Sequence, residues 1–222
     1  MLKLGLKPYK YRLISKLIDN KQTINILDVG CGHNSFNICK KYFLFDNYDG
    51  IDKEIWQGKD DDYKDLTHLF LIDLETEQEK IDHLNDTYYD LILMSHVIEH
   101  LSNGDEVIEK LLPKLSKNGV IYIETPSVKT LTYPSGIGFF NFHDDSTHRK
   151  VYSYRDLSNL LIINNCKVVK AGIRRDPVRL IFYSPFYLVW NILYSLPFNK
   201  KWDVRGLWDF FGIAQFVLAR KK

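Results

Sequence analysis

Seven short apolar runs, separated by segments with helical periodicity, constrain the fold of this chain most strongly. Runs of this kind, bounded by turn residues, are typical of strands buried on both faces of a parallel sheet. The predicted strands are 24–29, 48–52, 69–74, 90–94, 120–124, 167–172 and 213–219. The predicted helices are 9–20, 35–42, 77–84, 105–115 and 154–164. The sequence therefore predicts an α/β fold, with a Rossmann-like, seven-stranded, mostly parallel sheet and helices on both faces.

The length and the charge balance limit the domain organisation and the partners. The 222 residues predict a single domain over 1–222. Its parts are an N-terminal helical segment, a loop followed by a helix, and a hydrophobic helical insertion before the last strand, at 1–22, 127–166 and 174–211. A net charge of +2 argues against nucleic-acid binding. Three cysteines and the lack of a secretory signal predict a cytoplasmic protein with reduced thiols.

A glycine turn, in the segment ILDVGCG, follows the first predicted strand. Gly30 and Gly32 lie two residues apart, and glycine lets a ligand lie against bare backbone. The third glycine of a dinucleotide fingerprint is absent, which disfavours a nicotinamide dehydrogenase. Asp28 precedes the turn, where it would repel a pyrophosphate and attract a cation. The turn therefore predicts a ligand that carries positive charge.

Polar residues also end the following strands. Asp52 ends the second predicted strand, where a carboxylate can accept hydrogen bonds from both hydroxyls of a ribose. Asp73 ends the third strand, and Ser95 and His96 follow the fourth. Because a doubly wound sheet binds its ligand at the carboxyl ends of its strands, we expect these side chains on the ligand side.

These motifs together resemble the class I S-adenosylmethionine-dependent methyltransferases, in particular ubiquinone-biosynthesis-like members. The similar segments, in family order over 24–126, are ILDVGCG, GIDKE, LIDLE, YDLILMSHVIEHL and LLPKLSKNGVIYIETP. The resemblance implies S-adenosylmethionine as cofactor and methyl transfer to an oxygen or nitrogen of a small-molecule acceptor. The cofactor-binding residues that it implies are Asp28, Gly30, Gly32, Asp52, Lys53, Asp73, Leu74, Ser95 and His96.

A polar loop over 141–154 follows the fifth predicted strand and supplies catalytic candidates. Methyl transfer requires alignment and, for a hydroxyl or ammonium acceptor, a group that takes a proton. The loop resembles the THR element of small-molecule methyltransferases, which makes His148 the first catalytic candidate and His100 the second. The alternative is that His148 anchors the loop. Further candidates for taking the proton are His96, Glu99, His143, Asp144 and Asp145.

The segment HVIEH at 96–100 contains three residues of the types that bind metal ions. If it is helical, His96, Glu99 and His100 share one face, and with His148 they could form a metal site. The segment resembles the ExxEH element that binds a divalent ion in ubiquinone-type O-methyltransferases and small-RNA 2′-O-methyltransferases. Here His96 replaces the first glutamate, and magnesium prefers oxygen ligands. We therefore expect no metal and interpret Glu99 and His100 as packing or hydrogen-bonding residues, with metal ligation as the alternative.

The hydrophobic stretch 178–196 of the insertion has three interpretations. It forms a buried helix pair capping the acceptor site, a homodimer interface, or a surface that contacts a membrane. Two other functions remain as alternatives to a small-molecule methyltransferase. One is an RNA-directed 2′-O-methyltransferase, which the net charge of +2 disfavours. The other is a membrane-peripheral or cofactor-binding methyltransferase-like protein without turnover.

Overall fold

One seven-stranded sheet organises the protein. The computed structural model describes residues 7–18, 23–32, 34–55, 63–135, 141–177, 180–181, 189 and 208–222. The strands are β1 Ile24–Val29, β2 Phe45–Asp52, β3 His68–Leu71, β4 Tyr89–Ser95, β5 Leu115–Pro126, β6 Cys166–Ile173 and β7 Ala214–Lys221. Their spatial order is β3-β2-β1-β4-β5-β7-β6. Strand β7 runs antiparallel to β5 and β6, and the other pairs are parallel, which confirms the predicted fold class.

Short helices connect these strands. The described α-helices are α1 Tyr9–Ile18, α2 Ser35–Cys39, α3 Gly104–Leu111, α4 Tyr154–Ile163 and α5 Trp208–Phe211. Short 3-10 turns lie at Gln78–His83, Ile98–His100, Leu112–Lys114, Val128–Thr132 and Phe142–Asp144. A capping box fixes the start of α4, since the Ser153 hydroxyl accepts from the Asp156 amide and the Asp156 carboxylate accepts from the Ser153 amide.

The central strands bury both faces, as the apolar runs predict. On β4, Leu91 and Leu93 pack into the core beneath α1 and α2, whereas Ile92 and Met94 pack into the core beneath α3 and α4. Each of these four side chains is at most 1% exposed. Since side chains alternate along a strand, a continuous apolar run supplies both cores, and the sheet is covered by helices on its two faces.

The bounds of several predicted elements are wrong. The helix predicted over 105–115 ends at Leu111, because the proline of the next turn lacks an amide hydrogen, and β5 then begins at Leu115. The segment predicted as a helix over 77–84 is the 3-10 turn Gln78–His83. Strand β3 ends at Leu71, before Asp73 accepts a hydrogen bond from the Glu75 amide and turns the chain.

Parts of the predicted organisation lie outside the described residues. The N-terminal segment 1–22 is described over 7–18, where α1 lies, and the loop and helix at 127–166 are described except for 136–140. The insertion 174–211 is described only at 174–177, 180–181, 189 and 208–211. Of the stretch 178–196 only 180–181 and 189 are described, so its three interpretations stay predictions. Within the described ranges, no helix has the length and apolar character needed to cross a membrane.

Candidate functional site

The carboxyl ends of five neighbouring strands, from β3 to β5, form the edge where the predicted site residues lie. The strand order reverses between β1 and β4, which is the position where doubly wound sheets bind ligands. Adjacent strands lie about 4.8 Å apart, so β3 to β4 spans roughly 14 Å. An elongated ligand fits across this edge. In spatial order the edge carries Asp73, Asp52, Gly32, Gly30, Ser95 and Pro126.

The two glycines of the turn have different roles. Both have left-handed backbones, with φ of +68° at Gly30 and +54° at Gly32. A Cβ atom on Gly30 would lie 2.2 Å from Cγ2 of Val97, so this glycine is required by packing within the protein. At Gly32 nothing lies within 4 Å of the Cβ position. Gly32 is therefore the glycine that leaves its backbone accessible to a ligand. Its amide donates to Oδ2 of Asp52 over 2.8 Å.

A cavity of about 430 Å³, which we call the glycine-turn cavity, opens beside this turn. It is lined by the first turn of α1, by the glycine turn and α2, and by the ends of β4 and β5. Four of the predicted cofactor residues line it, namely Asp28, Gly30, Gly32 and Ser95.

Asp28 is 3% exposed and lies at the base of this cavity. Its Oδ2 atom accepts hydrogen bonds from the hydroxyls of Ser35 and Tyr48. Burial raises the pKa of the Asp28 carboxyl, although these two hydrogen bonds act in the opposite direction. The carboxyl is therefore fixed in orientation but poorly compensated in charge.

The remaining cofactor candidates lie at the ends of β2 and β3. Oδ1 of Asp52 accepts from the Lys53 amide over 2.8 Å, and Nζ of Lys53 lies 3.0 Å from Oδ2 of Asp73. The hydrogen bond from Lys53 lowers the pKa of Asp73. Leu74 is buried in the core, and its carbonyl accepts from Nδ2 of Asn103 over 2.9 Å. These four candidates border the edge beside the glycine-turn cavity, and their contacts with a cofactor stay predictions.

A second cavity, of about 330 Å³, lies beyond the ends of β4 and β5. We call it the histidine cavity, because His96, His100 and His148 all line it. Its other walls come from the loop that contains Phe142 and from Trp208 of α5. Segments far apart in the sequence thus meet here.

His96 is held between two buried carboxylates. It has a left-handed backbone, with φ of +57°, which is uncommon for a residue with a side chain. Its Nδ1 lies 3.1 Å from Oε1 of Glu99, and its Nε2 lies 3.4 Å from Oε1 of Glu124. Burial opposes protonation of the ring, but the neighbouring carboxylates of Glu124 and Glu99 raise the pKa of His96 to about 9. The two carboxylates therefore favour the protonated ring, and His96, which was predicted to bind cofactor, lines the histidine cavity.

Glu124 continues this buried chain of charges toward the glycine-turn cavity. Nη1 of Arg174 lies 2.6 Å from its Oε1, and the Tyr122 hydroxyl donates to its Oε2. Burial alone would raise the pKa of Glu124, but Arg174 and His96 hold it well below its usual range. Arg174 also reaches Oδ1 of Asp209 through Nε, over 3.2 Å.

Sequence reasoning missed the roles of Glu124, Arg174 and Asp209. One signal was available, since Glu124 ends the apolar run VIYIE at a position that the sheet buries. A carboxylate at such a position requires a cation partner, because an uncompensated buried charge is costly. The identity of that partner could not be read from the sequence, because Arg174 lies 50 residues away.

The orientation of the His148 ring follows from its hydrogen bond. Nδ1 lies 2.6 Å from the Phe142 carbonyl oxygen, which can only accept, so Nδ1 carries the hydrogen. In neutral His148 the lone pair is therefore on Nε2, which lies 3.8 Å from Oδ2 of Asp145. The ring also packs against Phe142, with centroids 4.4 Å apart. The same contacts that anchor the loop leave Nε2 available as a base.

His100 is oriented in the same way by Thr147. The Thr147 hydroxyl donates its one hydrogen to Oδ1 of Asp145 over 2.5 Å. It must then accept from Nδ1 of His100, which lies 2.9 Å away. Neutral His100 consequently also has its lone pair on Nε2. The two rings are neighbours, with centroids 4.9 Å apart for His100 and His148.

Glu99, His100 and His148 could together hold a metal ion. Their ligand atoms all lie within 4.8 Å of one another, and two imidazoles with one carboxylate suit several transition metals. His96 is not a member of this group. The prediction that His96, Glu99 and His100 share one face required an α-helix over 96–100, and that condition is not met. A 3-10 turn forms at Ile98–His100, and His96 lies between the two glutamates. The expected absence of a metal stays a prediction.

Two other candidates lie away from the cavity walls. His143 is exposed and stacks edge-on against Phe142. Asp144 belongs to a capping box, in which its carboxylate accepts from the Asn141 amide. Their positions favour a structural role in the loop over a role as the base.

A model of the methyltransferase domain family matches residues 6–171 of the chain. The chain belongs to this family. It has the methyltransferase domain that its motifs indicate. No curated protein sequence matches the chain significantly.

Solved structures of other methyltransferases share the fold of this methyltransferase. One is an S-adenosylmethionine-dependent methyltransferase from Archaeoglobus fulgidus, with a TM-score of 0.55, 18% identity, and coverage of 95% of this chain and 94% of that one. Another, from Mesorhizobium loti, has a TM-score of 0.65 and 13% identity and covers 96% of both chains. At these identities the likeness concerns the fold.

The ligand edge of this methyltransferase fits the cofactor that the family implies. S-adenosylmethionine carries a positive sulfur, an ammonium and a carboxylate. Carboxylates predominate among the charged groups of the glycine-turn cavity, and Gly32 exposes bare backbone beside them. Asp52 accepts from the amides of Gly32 and Lys53 and, more weakly, from the Cys31 thiol. A carboxylate has roughly four lone-pair positions, so Asp52 retains one for a hydroxyl group of a ligand.

Proposed function

We propose that this protein transfers a methyl group from S-adenosylmethionine to an oxygen or nitrogen of a small-molecule acceptor bound in the histidine cavity. One observation carries the proposal. His148 and His100, from distant parts of the chain, both use Nδ1 for hydrogen bonds within the protein and keep Nε2 for a ligand in the same cavity. This arrangement suits a site where an acceptor loses a proton as it gains a methyl group.

In this proposal the residues of the chain bind the cofactor, orient the acceptor and remove a proton from it. Bound S-adenosylmethionine supplies an electrophilic methyl group on a positively charged sulfur. In this proposal Asp52, at the end of β2, accepts from the ribose hydroxyls, and Asp73, just beyond the end of β3, accepts from the adenine, with Leu74 beside it. The glycine turn and Ser95 border the other end of the same edge, where the cofactor's amino acid group belongs.

His148 is the proposed base. Its Nε2 takes the proton from an acceptor hydroxyl or ammonium, which increases the electron density on the attacking atom. Asp145 lies 3.8 Å from Nε2, so its carboxylate stabilises the imidazolium that forms. A hydrogen bond from Thr147 lowers the pKa of Asp145, which keeps that carboxylate charged. His100 is the second candidate for the same task.

The cavity and the overall charge favour a small molecule as acceptor. A volume of about 330 Å³ lies at the low end of small-molecule sites, which span roughly 300–1,000 Å³. The aromatic rings of Phe142 and Trp208 line it beside the polar groups. An RNA acceptor is disfavoured by the net charge of +2.

The Glu99, His100 and His148 group supports a second candidate role for this cavity. A divalent ion held there would bind an acceptor hydroxyl and favour its deprotonation. A chelator distinguishes the two roles. Loss of transfer with chelator and recovery with a divalent ion would favour the metal, whereas unchanged transfer would favour His148 acting alone.

Mass labelling of a metabolite extract tests the proposal. The protein and S-adenosylmethionine carrying an isotopic methyl group are incubated with the extract, and small molecules that gain the labelled methyl are identified. We expect at least one such metabolite, and none when S-adenosylmethionine is omitted. Label in RNA alone would support the RNA-directed alternative, and cofactor binding without any labelled product would support a protein that has lost turnover.

A further inference from the structure

The polar side chains of the histidine cavity present mostly hydrogen-bond acceptors to a ligand. Neutral His100 and His148 each present the lone pair of Nε2, because each uses the hydrogen on Nδ1 within the protein. The Thr130 hydroxyl donates its hydrogen to a backbone carbonyl over 2.7 Å, so it can only accept from a ligand. The Trp208 indole and the Asn141 amide are donors in the same lining, and one hydrogen of the amide already bonds to a backbone carbonyl.

Asp145 and His148 form a pair of acceptors with no hydrogen between them. Oδ1 of Asp145 accepts from the amide and the hydroxyl of Thr147, over 2.8 and 2.5 Å. Oδ2 accepts no hydrogen bond from the described residues. It lies 3.8 Å from Nε2 of His148, which in the neutral ring also carries a lone pair. A donor group of a ligand that bridges Oδ2 and Nε2 would satisfy both atoms.

The uncompensated charge of this cavity is negative. Nδ1 of His96 lies 3.1 Å from Glu99 and Nε2 lies 3.4 Å from Glu124, so both ring nitrogens of this histidine face carboxylates of the protein. No lysine or arginine among the described residues lines the cavity, and Asp145 has neutral His148 beside it. A carboxylate in such surroundings attracts a cation and opposes an anion.

We propose that the acceptor is a protonated amine, whose ammonium group binds between Asp145, His148 and His100. This inference rests on the proposed function and deepens it, because it selects nitrogen over oxygen for the same site. A primary ammonium has three N–H donors, which match Oδ2 of Asp145 and the two Nε2 atoms. A hydroxyl has a single donor, and the negative charge that develops on its oxygen as it loses a proton would lie beside Asp145.

The transfer to an amine balances without a further reactant. Nε2 of His148 takes one proton from the ammonium, which leaves a neutral amine with a lone pair. The amine nitrogen attacks the methyl carbon, forms the new N–C bond and displaces the sulfur, which keeps the electron pair of the broken S–C bond. The products are the N-methylated ammonium, S-adenosylhomocysteine and one proton, which His148 releases to water.

Nuclear magnetic resonance of a metabolite extract, incubated with the protein and S-adenosylmethionine carrying a ¹³C-labelled methyl group, tests the inference. N-methyl and O-methyl carbons have separate chemical shifts, so the spectrum assigns the acceptor atom before the metabolite is identified. We expect N-methyl signals to account for most of the label, and no signals without the protein. A majority of O-methyl signals would overturn the inference and leave the proposed function standing. It is also the result expected if a divalent ion occupies the Glu99, His100 and His148 group. If no small molecule is labelled, the proposed function fails together with this inference.

Asp145→Asn tests the ammonium site itself, because it removes the charge and keeps the size of the side chain. We expect the KM for the labelled amine to rise by roughly 10- to 100-fold, with S-adenosylhomocysteine binding unchanged. Glu109→Gln is the matched control, since Glu109 is an exposed carboxylate of α3 and its loss changes the net charge equally. Its KM should equal that of the unmodified protein. A lower kcat at an unchanged KM for Asp145→Asn, in a variant that circular dichroism shows to be folded, would exclude the ammonium site and leave Asp145 acting only on His148.

Discussion

The glycine-turn cavity and the histidine cavity lie side by side on one edge of the sheet, but they are built in different ways. The first depends on backbone: a strand end, two left-handed glycines and the start of a helix. The second depends on side chains from segments as distant as His96, His148 and Trp208. Between them runs the buried charge chain of Glu99, His96 and Glu124.

This difference matters for function. A cofactor common to a whole family can be held by a local turn. The parallel direction of the strands fixes the position of that turn at one edge of the sheet. An acceptor that differs among family members needs a pocket made from variable loops and insertions. Damage to the first cavity should therefore affect cofactor binding and folding, whereas damage to the second should affect turnover at full cofactor affinity.

Replacing His148 should distinguish the roles of the two cavities most clearly, because turnover should fall while cofactor affinity does not. We expect His148→Ala to lower kcat by roughly 10²–10⁴-fold, because Nε2 no longer takes the acceptor proton. Cofactor affinity measured by calorimetry should stay nearly unchanged. His143→Ala is the matched control, because His143 is an exposed histidine of the same loop. Full activity of His148→Ala would exclude it as the base.

Replacing Gly30 should damage the glycine-turn cavity through the fold. Gly30→Val places a side chain against Val97 and forces a β-branched residue to adopt a φ of +68°. Overpacking and backbone strain together should lower the free energy of unfolding by about 3–4 kcal/mol, as urea denaturation would measure. Gly32→Ala should cost about 1 kcal/mol, because only the backbone is strained there. Equal losses for the two variants would contradict the different roles of the glycines.

Replacing Asp52 should weaken the cofactor without touching the histidine cavity. Asp52→Ala should reduce the binding free energy of S-adenosylhomocysteine by about 1.5–3 kcal/mol, as expected for charge-assisted hydrogen bonds. Part of the loss comes from the glycine turn, since Asp52 also accepts from the Gly32 amide. Circular dichroism should confirm that the variant is folded. Unchanged affinity in calorimetry would remove Asp52 from the cofactor site.

The charge chain between the cavities should produce a smaller effect, visible in the pH dependence of stability. The pKa of His96 is raised from 6.5 to about 9, so folding stabilises its protonated form. This contribution is complete below pH 6.5 and is lost as the pH rises through about 9. We expect it to be on the order of 2 kcal/mol, allowing for partial exposure of the ring.

Urea denaturation between pH 6 and pH 10 measures this contribution. The unmodified protein should lose stability over the upper part of that range, and His96→Gln should lose less, since it cannot titrate. A matched control is His68→Gln, because His68 is an exposed histidine at the start of β3 that is paired with Asp49 of β2. Parallel stability curves for the unmodified protein and His96→Gln would show that the imidazolium contributes nothing.

The sequence predicted the residues of the glycine-turn cavity better than those of the histidine cavity, and the reason is physical. Strand alternation, the glycine turn and the acidic strand ends are local patterns, and the parallel sheet aligns them at one edge. Arg174 and Trp208 reach the site only through long-range packing, so their contacts with Glu124 and His96 could not be predicted.

His148 shows what local patterns can and cannot establish. Its place in a polar loop after the fifth strand predicted a position on the ligand side, and it does line the histidine cavity. The hydrogen bond to the Phe142 carbonyl, which leaves Nε2 for the acceptor, depends on the exact path of the loop. That path is set by the Asn141–Asp144 capping box and by the contact of Thr147 with His100.

A crystal structure of the protein with S-adenosylhomocysteine tests most directly whether the glycine-turn cavity binds the cofactor and the histidine cavity binds the acceptor. The adenosine should lie beside Asp52 and Asp73, the amino acid group should occupy the glycine-turn cavity, and the sulfur should face the histidine cavity, toward Nε2 of His148. A ligand whose sulfur points away from that cavity, or whose amino acid group lies outside the glycine-turn cavity, would contradict the account.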